Sequence, residues 1–391
     1  MRAFFAYAVL SVALFSTEQV TAFPPAVANF ILGRPITERS LEEQMRWADT
    51  LTLPIIEGTD AISRLEIPVG SPPIKLSVLV VEPRNYSIHV EETVAASEGN
   101  EANFKLSIYI DETNAFESTI KIMEEVRAEA GGRRKFKTTP EQIERIVREQ
   151  VRVGGATPTT EDPRTVFLLL GYGVPKRIGL PMALLLANHG IRTVIVDLRG
   201  QGKSGGKGVT WGKEEPKDLA ALLTALQSKE VIEEKPVAVL GVSYGAVMAS
   251  LWSAQDERVE ATILAAPYQR ADTKIITTTQ SFLGDTKLPF KPTQKSLTKG
   301  AEIAAKRLKM SWEELSSTRA IPKIPHPVLF LASSSDEIIP EDEVRELYQI
   351  GPEGSKHHVF DHLPHYLLGM NFRGMETVVV EWLEERNFLT P

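Results

Sequence analysis

Cysteine is absent from the 391 residues. Disulfides, thiolate metal sites and cysteine nucleophiles are therefore excluded. A surplus of positive charge is also missing: 44 Lys and Arg stand against 51 Asp and Glu, for a net charge of -7. That balance does not suit a protein that grips nucleic acid through bulk charge, and no nucleic-acid partner is expected. Histidines number only 7, and no His-Glu-x-x-His segment occurs. No metal site is expected on that count. Past the N-terminus, no stretch approaches the ~20 apolar residues that a membrane-crossing helix needs.

The N-terminus itself has a pattern. Met1-Arg2 supplies a positive charge, Ala3 to Phe15 is apolar, and Val20-Thr21-Ala22 offers small residues at a cleavage position. Residues 1–22 therefore read as a signal peptide, cut after Ala22, and the mature protein is expected to be exported, periplasmic or extracellular, without a stable membrane span. Apolar residues make up 42% and charged residues 24% of the chain, an ordinary balance for a folded domain. Residues 23–62 read as a leader with one helix, capped by Ser40 with Glu43 three residues on. Residues 63–391 read as one α/β domain with two elaborations. Leu65 to Val69 and Ile74 to Val81 are expected to pair antiparallel around Gly70-Ser71-Pro72-Pro73. Residues 84–163 read as an inserted lobe: strand-like Tyr86 to Glu91 and Phe104 to Ile110, helical 115–130 and 139–152, and a Gly, Thr and Pro-rich linker from Val153. The basic run Arg133-Arg134-Lys135 within it reads as a solvated loop.

From Thr165 onward, continuous apolar runs alternate with helical stretches. Thr165 to Leu170, Arg192 to Val196, Val237 to Leu240, Ala261 to Ala265, Val328 to Ala332 and His358 to Phe360 are the expected strands. Strands apolar on both faces and separated by helices imply a parallel sheet covered on both sides. Residues 266–325 form an excursion without a strand, helical near Lys299 to Leu315, and read as a lid.

Four segments carry chemistry. In Gly241-Val242-Ser243-Tyr244-Gly245 a buried strand runs into a tight turn and then a helix, which projects the Ser243 hydroxyl as a nucleophile. A serine needs a base, and the base needs a carboxylate, in the chain order Ser, Asp or Glu, His. Asp336 follows the strand at 328–332, with Glu337 beside it as an open alternative. Four histidines then fall between His357 and His365. His365, past the last strand, is the expected base and His362 the alternative, while His357 and His358 lie in the strand, where alternation would bury one of them. The oxyanion needs two backbone donors, expected from Tyr244 and from Tyr172 in Leu170-Gly171-Tyr172-Gly173. The glycines at 200–206 lack the spacing of a phosphate loop and read as a turn at the pocket rim.

Together these residues resemble the α/β-hydrolase superfamily. Asp197-Leu198-Arg199-Gly200-Gln201-Gly202-Lys203-Ser204 is similar to the Asp-x-Arg-Gly-x-Gly-x-Ser segment of its monoglyceride-lipase and serine-aminopeptidase-like branch. Leu170 stands where many members have histidine, and Ser333 where glycine is common. The resemblance implies an α/β-hydrolase fold, no cofactor, a small-molecule acyl ester or amide as partner, and a carboxylesterase or lipase-like reaction through Ser243, His365 and Asp336. An aminopeptidase-like amide hydrolase and a non-catalytic binding protein on the same fold are the alternatives, because a fold does not fix a function.

Overall fold

The computed structural model describes residues 23–33, 62–84, 88–95, 103–110, 160–284 and 293–389. The expected signal peptide, the Ser40-capped helix, the helical stretches 115–130 and 139–152 and the basic run at 133–135 lie outside the described residues.

Eight strands form one sheet. They are β1 (Ile62–Val69), β2 (Ile74–Val81), β5 (Arg164–Leu169), β6 (Ile191–Asp197), β7 (Val237–Val242), β8 (Val259–Ala265), β9 (Val328–Ser333) and β10 (Lys356–Phe360), in the spatial order β1-β2-β6-β5-β7-β8-β9-β10. The β1–β2 hairpin is antiparallel, and β2 lies antiparallel against β6 with Ser77 opposite Asp197. Every other pairing is parallel. Within the segment expected to form a lobe, β3 (Ile88–Ala95) and β4 (Asn103–Ile110) pair antiparallel as a separate two-stranded sheet.

Side chains alternate across each strand, so the apolar runs feed two cores. Phe167 and Leu169 of β5 enter one core, and Val166 and Leu168 enter the other. The second core is closed by α2 (Leu180–Ala187), apolar almost throughout, and by α10 (Phe372–Glu385), whose Phe372, Met375, Val379 and Leu383 recur at helical spacing on one face. The first core is closed by α3 (Glu215–Ser228), α4 (Tyr244–Ser253) and α8 (Glu341–Gln349).

Between β8 and β9, the described part of the expected lid holds α5 (Ala271–Gly284), α6 (Gln294–Leu308) and α7 (Ser317–Ala320). The helix expected from Lys299 to Leu315 starts earlier and stops sooner. The Thr293 side chain caps its first turn by accepting from Ser296 N–H, and Lys309 in the left-handed region ends it.

The leader contributes α1 (Phe23–Leu32). Pro24 and Pro25 sit in its first turn, where no N–H is missed. Val27, Ala28 and Ile31 enter the first core, and α1 crosses α6 so closely that a Cβ on Gly300 would lie 2.3 Å from Val27 Cγ1. The Trp211 indole donates to Ile31 O at 2.7 Å.

The chain leaves β5 to build β6 on one side, then crosses back to add β7 on the other. The loops after β5 and β7 thus diverge at the carboxyl ends of adjacent strands, and such a switch point opens a crevice.

Candidate active site

Ser243 sits in that crevice, between β7 and α4. Its φ of 53° and ψ of -113° lie in a region that costs a side-chain-bearing residue about 1–3 kcal/mol. The flanking glycines are steric requirements. A Cβ on Gly241 would lie 2.4 Å from Gly245 O, and one on Gly245 would lie 2.1 Å from Leu169 O. Ser243 N–H donates to Ala265 O at 2.8 Å, tying the turn to β8.

His365 opens α9 (His365–Leu368). Its Nε2 lies 3.0 Å from Ser243 Oγ, and its Nδ1 lies 2.7 Å from Asp336 Oδ2. A carboxylate only accepts, so Nδ1 carries the proton and Nε2 accepts from the serine hydroxyl. The Asp336 side chain is fully buried and its Oδ1 takes the N–H groups of Ile338 at 2.9 Å and Ile339 at 2.7 Å. Asp336, rather than Glu337, faces the imidazole. Glu337 Oε2 instead accepts from His365 N–H at 3.2 Å.

The other histidines are placed elsewhere. His362 is exposed, with φ of 60°, and its N–H donates to Ser334 Oγ. His357 and His358 are both half-buried, because β10 is an edge strand and neither face is fully covered. The His357 ring stacks on Tyr348, and burial pulls its imidazole below the ordinary range. Among the described residues no group of three or more His, Asp or Glu side chains could hold a metal ion.

The first turn of a helix leaves its N–H groups without helical acceptors, and Tyr244 is the first residue of α4. Gly171 lies alongside, since a Cβ there would fall 3.7 Å from Ser243 Cβ. The loop after β5 is fixed on both sides of Tyr172: Val174 N–H donates to Gly171 O at 3.1 Å, and Gly173 N–H donates to Gln201 Oε1 at 2.6 Å. The Tyr172 and Tyr244 rings meet edge to face at 5.8 Å. Burial pushes both phenols up, and the nearby Glu215 carboxylate adds to this at Tyr244.

The segment from Asp197 to Ser204 holds this loop in place. Asp197 accepts from Lys176 Nζ at 2.6 Å, Lys176 N–H at 2.8 Å and Lys203 N–H at 3.0 Å. Lys176 Nζ also donates to Ser77 Oγ at 3.0 Å. Arg199 grips Asp218 on α3 with two parallel bonds of 2.7 and 2.6 Å. Ser204 Oγ donates to Asp197 O and accepts from Ser77 N–H. On the opposite side Ser333 Oγ donates to Leu363 O at 2.6 Å and accepts from Leu363 N–H at 3.1 Å, linking the Asp336 loop to the His365 loop. The motif at 197–204 signalled the first group and the departure at Ser333 the second. Lys176 and Glu215 are isolated residues without a sequence signal.

A mostly parallel eight-stranded sheet, helices on both faces and a serine turn at the switch point define the α/β-hydrolase fold. Residues 162–318 match the family model described as Serine aminopeptidase, S33. It is 27% identical over 195 residues to the uncharacterized protein YqkD of Bacillus subtilis, an alignment covering 48% of this chain and 60% of that one. The chain therefore spans less than two thirds of that relative's length. Among solved structures it resembles an esterase of Pyrococcus furiosus, with TM-score 0.48, 16% identity and coverage of 84% of this chain and 90% of the other. A thermophilic esterase of Thermogutta terrifontis has TM-score 0.44 and 19% identity, covering 58% and 91%.

Proposed function

We propose that the protein is a serine hydrolase that cleaves a carboxylic ester or thioester through an acyl-enzyme. The observation that carries this reading is the chain of contacts from Ser243 Oγ to His365 Nε2, 3.0 Å, and from His365 Nδ1 to Asp336 Oδ2, 2.7 Å. Ser243 Oγ attacks the acyl carbonyl while His365 Nε2 takes the hydroxyl proton. Asp336 holds the ring in the tautomer this requires and stabilises the imidazolium. The N–H groups of Tyr172 and Tyr244 receive the oxyanion. The imidazolium returns its proton to the leaving group, and water repeats the sequence on the acyl-enzyme. Cleavage after Ala22 and export complete the reading.

Amide hydrolysis is the second reading, favoured by the match of residues 162–318 to a family described as serine aminopeptidases. No feature of the sequence specifies a clamp for a substrate amino terminus, so ester cleavage is preferred. A chain-length series of p-nitrophenyl acyl esters, run beside aminoacyl p-nitroanilides, separates the two. In either case Ser243→Ala is expected to abolish turnover and fluorophosphonate labelling. Wild-type rates in that variant would refute the assignment.

A further inference from the structure

Glu215 is a fully buried carboxylate that the proposed mechanism does not use. It opens α3, directly beneath the nucleophile turn. Its Oε1 accepts from Thr210 N–H at 2.6 Å and from the Tyr244 hydroxyl at 3.1 Å. Its Oε2 accepts from Thr210 Oγ1 at 2.5 Å and Gly212 N–H at 2.8 Å. Thr210 Oγ1 in turn accepts from Glu214 N–H at 3.0 Å.

The residue between these anchors is Trp211, held at φ of 55°. That conformation is a genuine outlier for a bulky side chain and persists only where the surroundings impose it. Here they do: Glu215 binds the N–H before and the N–H after, and the indole donates to Ile31 O. So held, the Trp211 ring stacks on Tyr172 at 5.3 Å and 17°, and its plane meets Tyr244 at 5.3 Å and 82°. One carboxylate therefore fixes the side chains of both residues whose N–H groups are proposed to receive the oxyanion, Tyr244 directly and Tyr172 through Trp211.

We propose that Glu215 is a positioning residue for the oxyanion site, acting through the Tyr244 hydroxyl and the Trp211 turn. This rests on the hydrolase reading above. An oxyanion donor acts on the transition state, so its displacement lowers kcat and leaves ground-state binding nearly untouched. A residue needed only for folding would instead reduce the fraction of active enzyme and its melting temperature.

The test uses the full mature chain and measures kcat and KM for p-nitrophenyl butyrate, with active sites titrated by a fluorophosphonate. Inhibition by a trifluoromethyl ketone, whose tetrahedral adduct places an oxyanion on the same donors, is the second readout. Wild type against Ser243→Ala comes first. Turnover that survives in Ser243→Ala, or the absence from wild type of turnover on both p-nitrophenyl acyl esters and aminoacyl p-nitroanilides, overturns the hydrolase reading and the positioning role with it. Given that step, Glu215→Gln and Tyr244→Phe are each expected to lose tenfold or more in kcat per active site. KM should stay within about twofold, and the ketone should weaken by the factor lost in kcat/KM. The double variant should lose little more than the worse single one, because both act on one contact. Tyr244→Phe removes one oxygen and decides the matter if Glu215→Gln does not fold. A folded variant with wild-type kcat per active site and unchanged ketone affinity overturns the proposal.

Discussion

The Lys176–Asp197 pair is the strongest test of how the loop after β5 is held. The ammonium and carboxylate are 2.6 Å apart and both side chains are 2% exposed. Lys176→Met removes the cation and strands the carboxylate in the interior. Breaking a buried pair from one side costs about 3–5 kcal/mol. Asp197 keeps the N–H groups of Lys176 and Lys203 as partners, so the lower end applies, about 3 kcal/mol. With a urea dependence of about 3 kcal/mol/M for a domain this large, the unfolding midpoint should fall by about 1 M. Activity should suffer as well, because Lys176 ends the loop that carries Tyr172. A drop of about tenfold in kcat is expected from a donor a few tenths of an ångström out of place.

The pair makes a second, sharper demand. Asp197→Asn leaves the ammonium with Ser77 Oγ and should cost about as much as Lys176→Met. The double variant leaves no buried charge at this pair, and the asparagine oxygen still accepts from the backbone N–H at position 176. It should be more stable than either single variant, with only about 1–3 kcal/mol lost for the orphaned donor. Urea titrations followed by tryptophan fluorescence measure all four proteins. Single losses that simply add in the double, or a Lys176→Met midpoint close to that of wild type, would refute the reasoning.

Other expectations are narrower. Asp336→Asn must turn its amide oxygen to the N–H groups of Ile338 and Ile339, which points its NH₂ at His365 Nδ1 and forces the wrong tautomer; kcat should fall about 10³–10⁴-fold with an unchanged melt, and a loss under tenfold would contradict the assignment. Gly245→Ala places a methyl 2.1 Å from Leu169 O, a backbone atom that cannot retreat, so soluble expression should collapse; a folded, active variant would show that the turn is looser than its geometry. Burial and the Arg386 charge lower the His326 imidazole from 6.5 to about 4, so it is neutral when folded and the unfolded chain binds the extra proton. Stability from this group is full above pH 6.5 and drains away as pH falls toward 4, by about 3 kcal/mol at most; His326→Gln should flatten that slope in urea midpoints taken from pH 7 to 4, and an identical slope would exclude His326 as its source.

What could be read from the sequence divides along a physical line. Ser243 and Asp336 each follow a strand whose apolar run is visible locally, His365 follows the short edge strand β10, and a parallel sheet delivers the ends of its strands to one edge. Order along the chain therefore translated into proximity in space. Lys176 and Asp197 meet because the loop after β5 folds over the end of the neighbouring strand β6, where β2 also brings Ser77 opposite Asp197. No local period encodes that alignment. Glu215 reads as an ordinary acidic residue in a first helical turn, where such residues are common. Its role depends on Trp211 and Tyr244 arriving from two other segments. α1 was missed for the same reason: its apolar face has meaning only against α6 and the Trp211 turn, and a leader without an evident partner gives no such signal. The groups proposed to touch substrate thus sit in recognisable motifs, and the groups that aim them depend on tertiary alignment. A chain could retain Gly-x-Ser-x-Gly, the aspartate and the histidine and still lose activity through Lys176 or Glu215, so the motif alone is a weaker warrant for catalysis than the motif with its buried anchors.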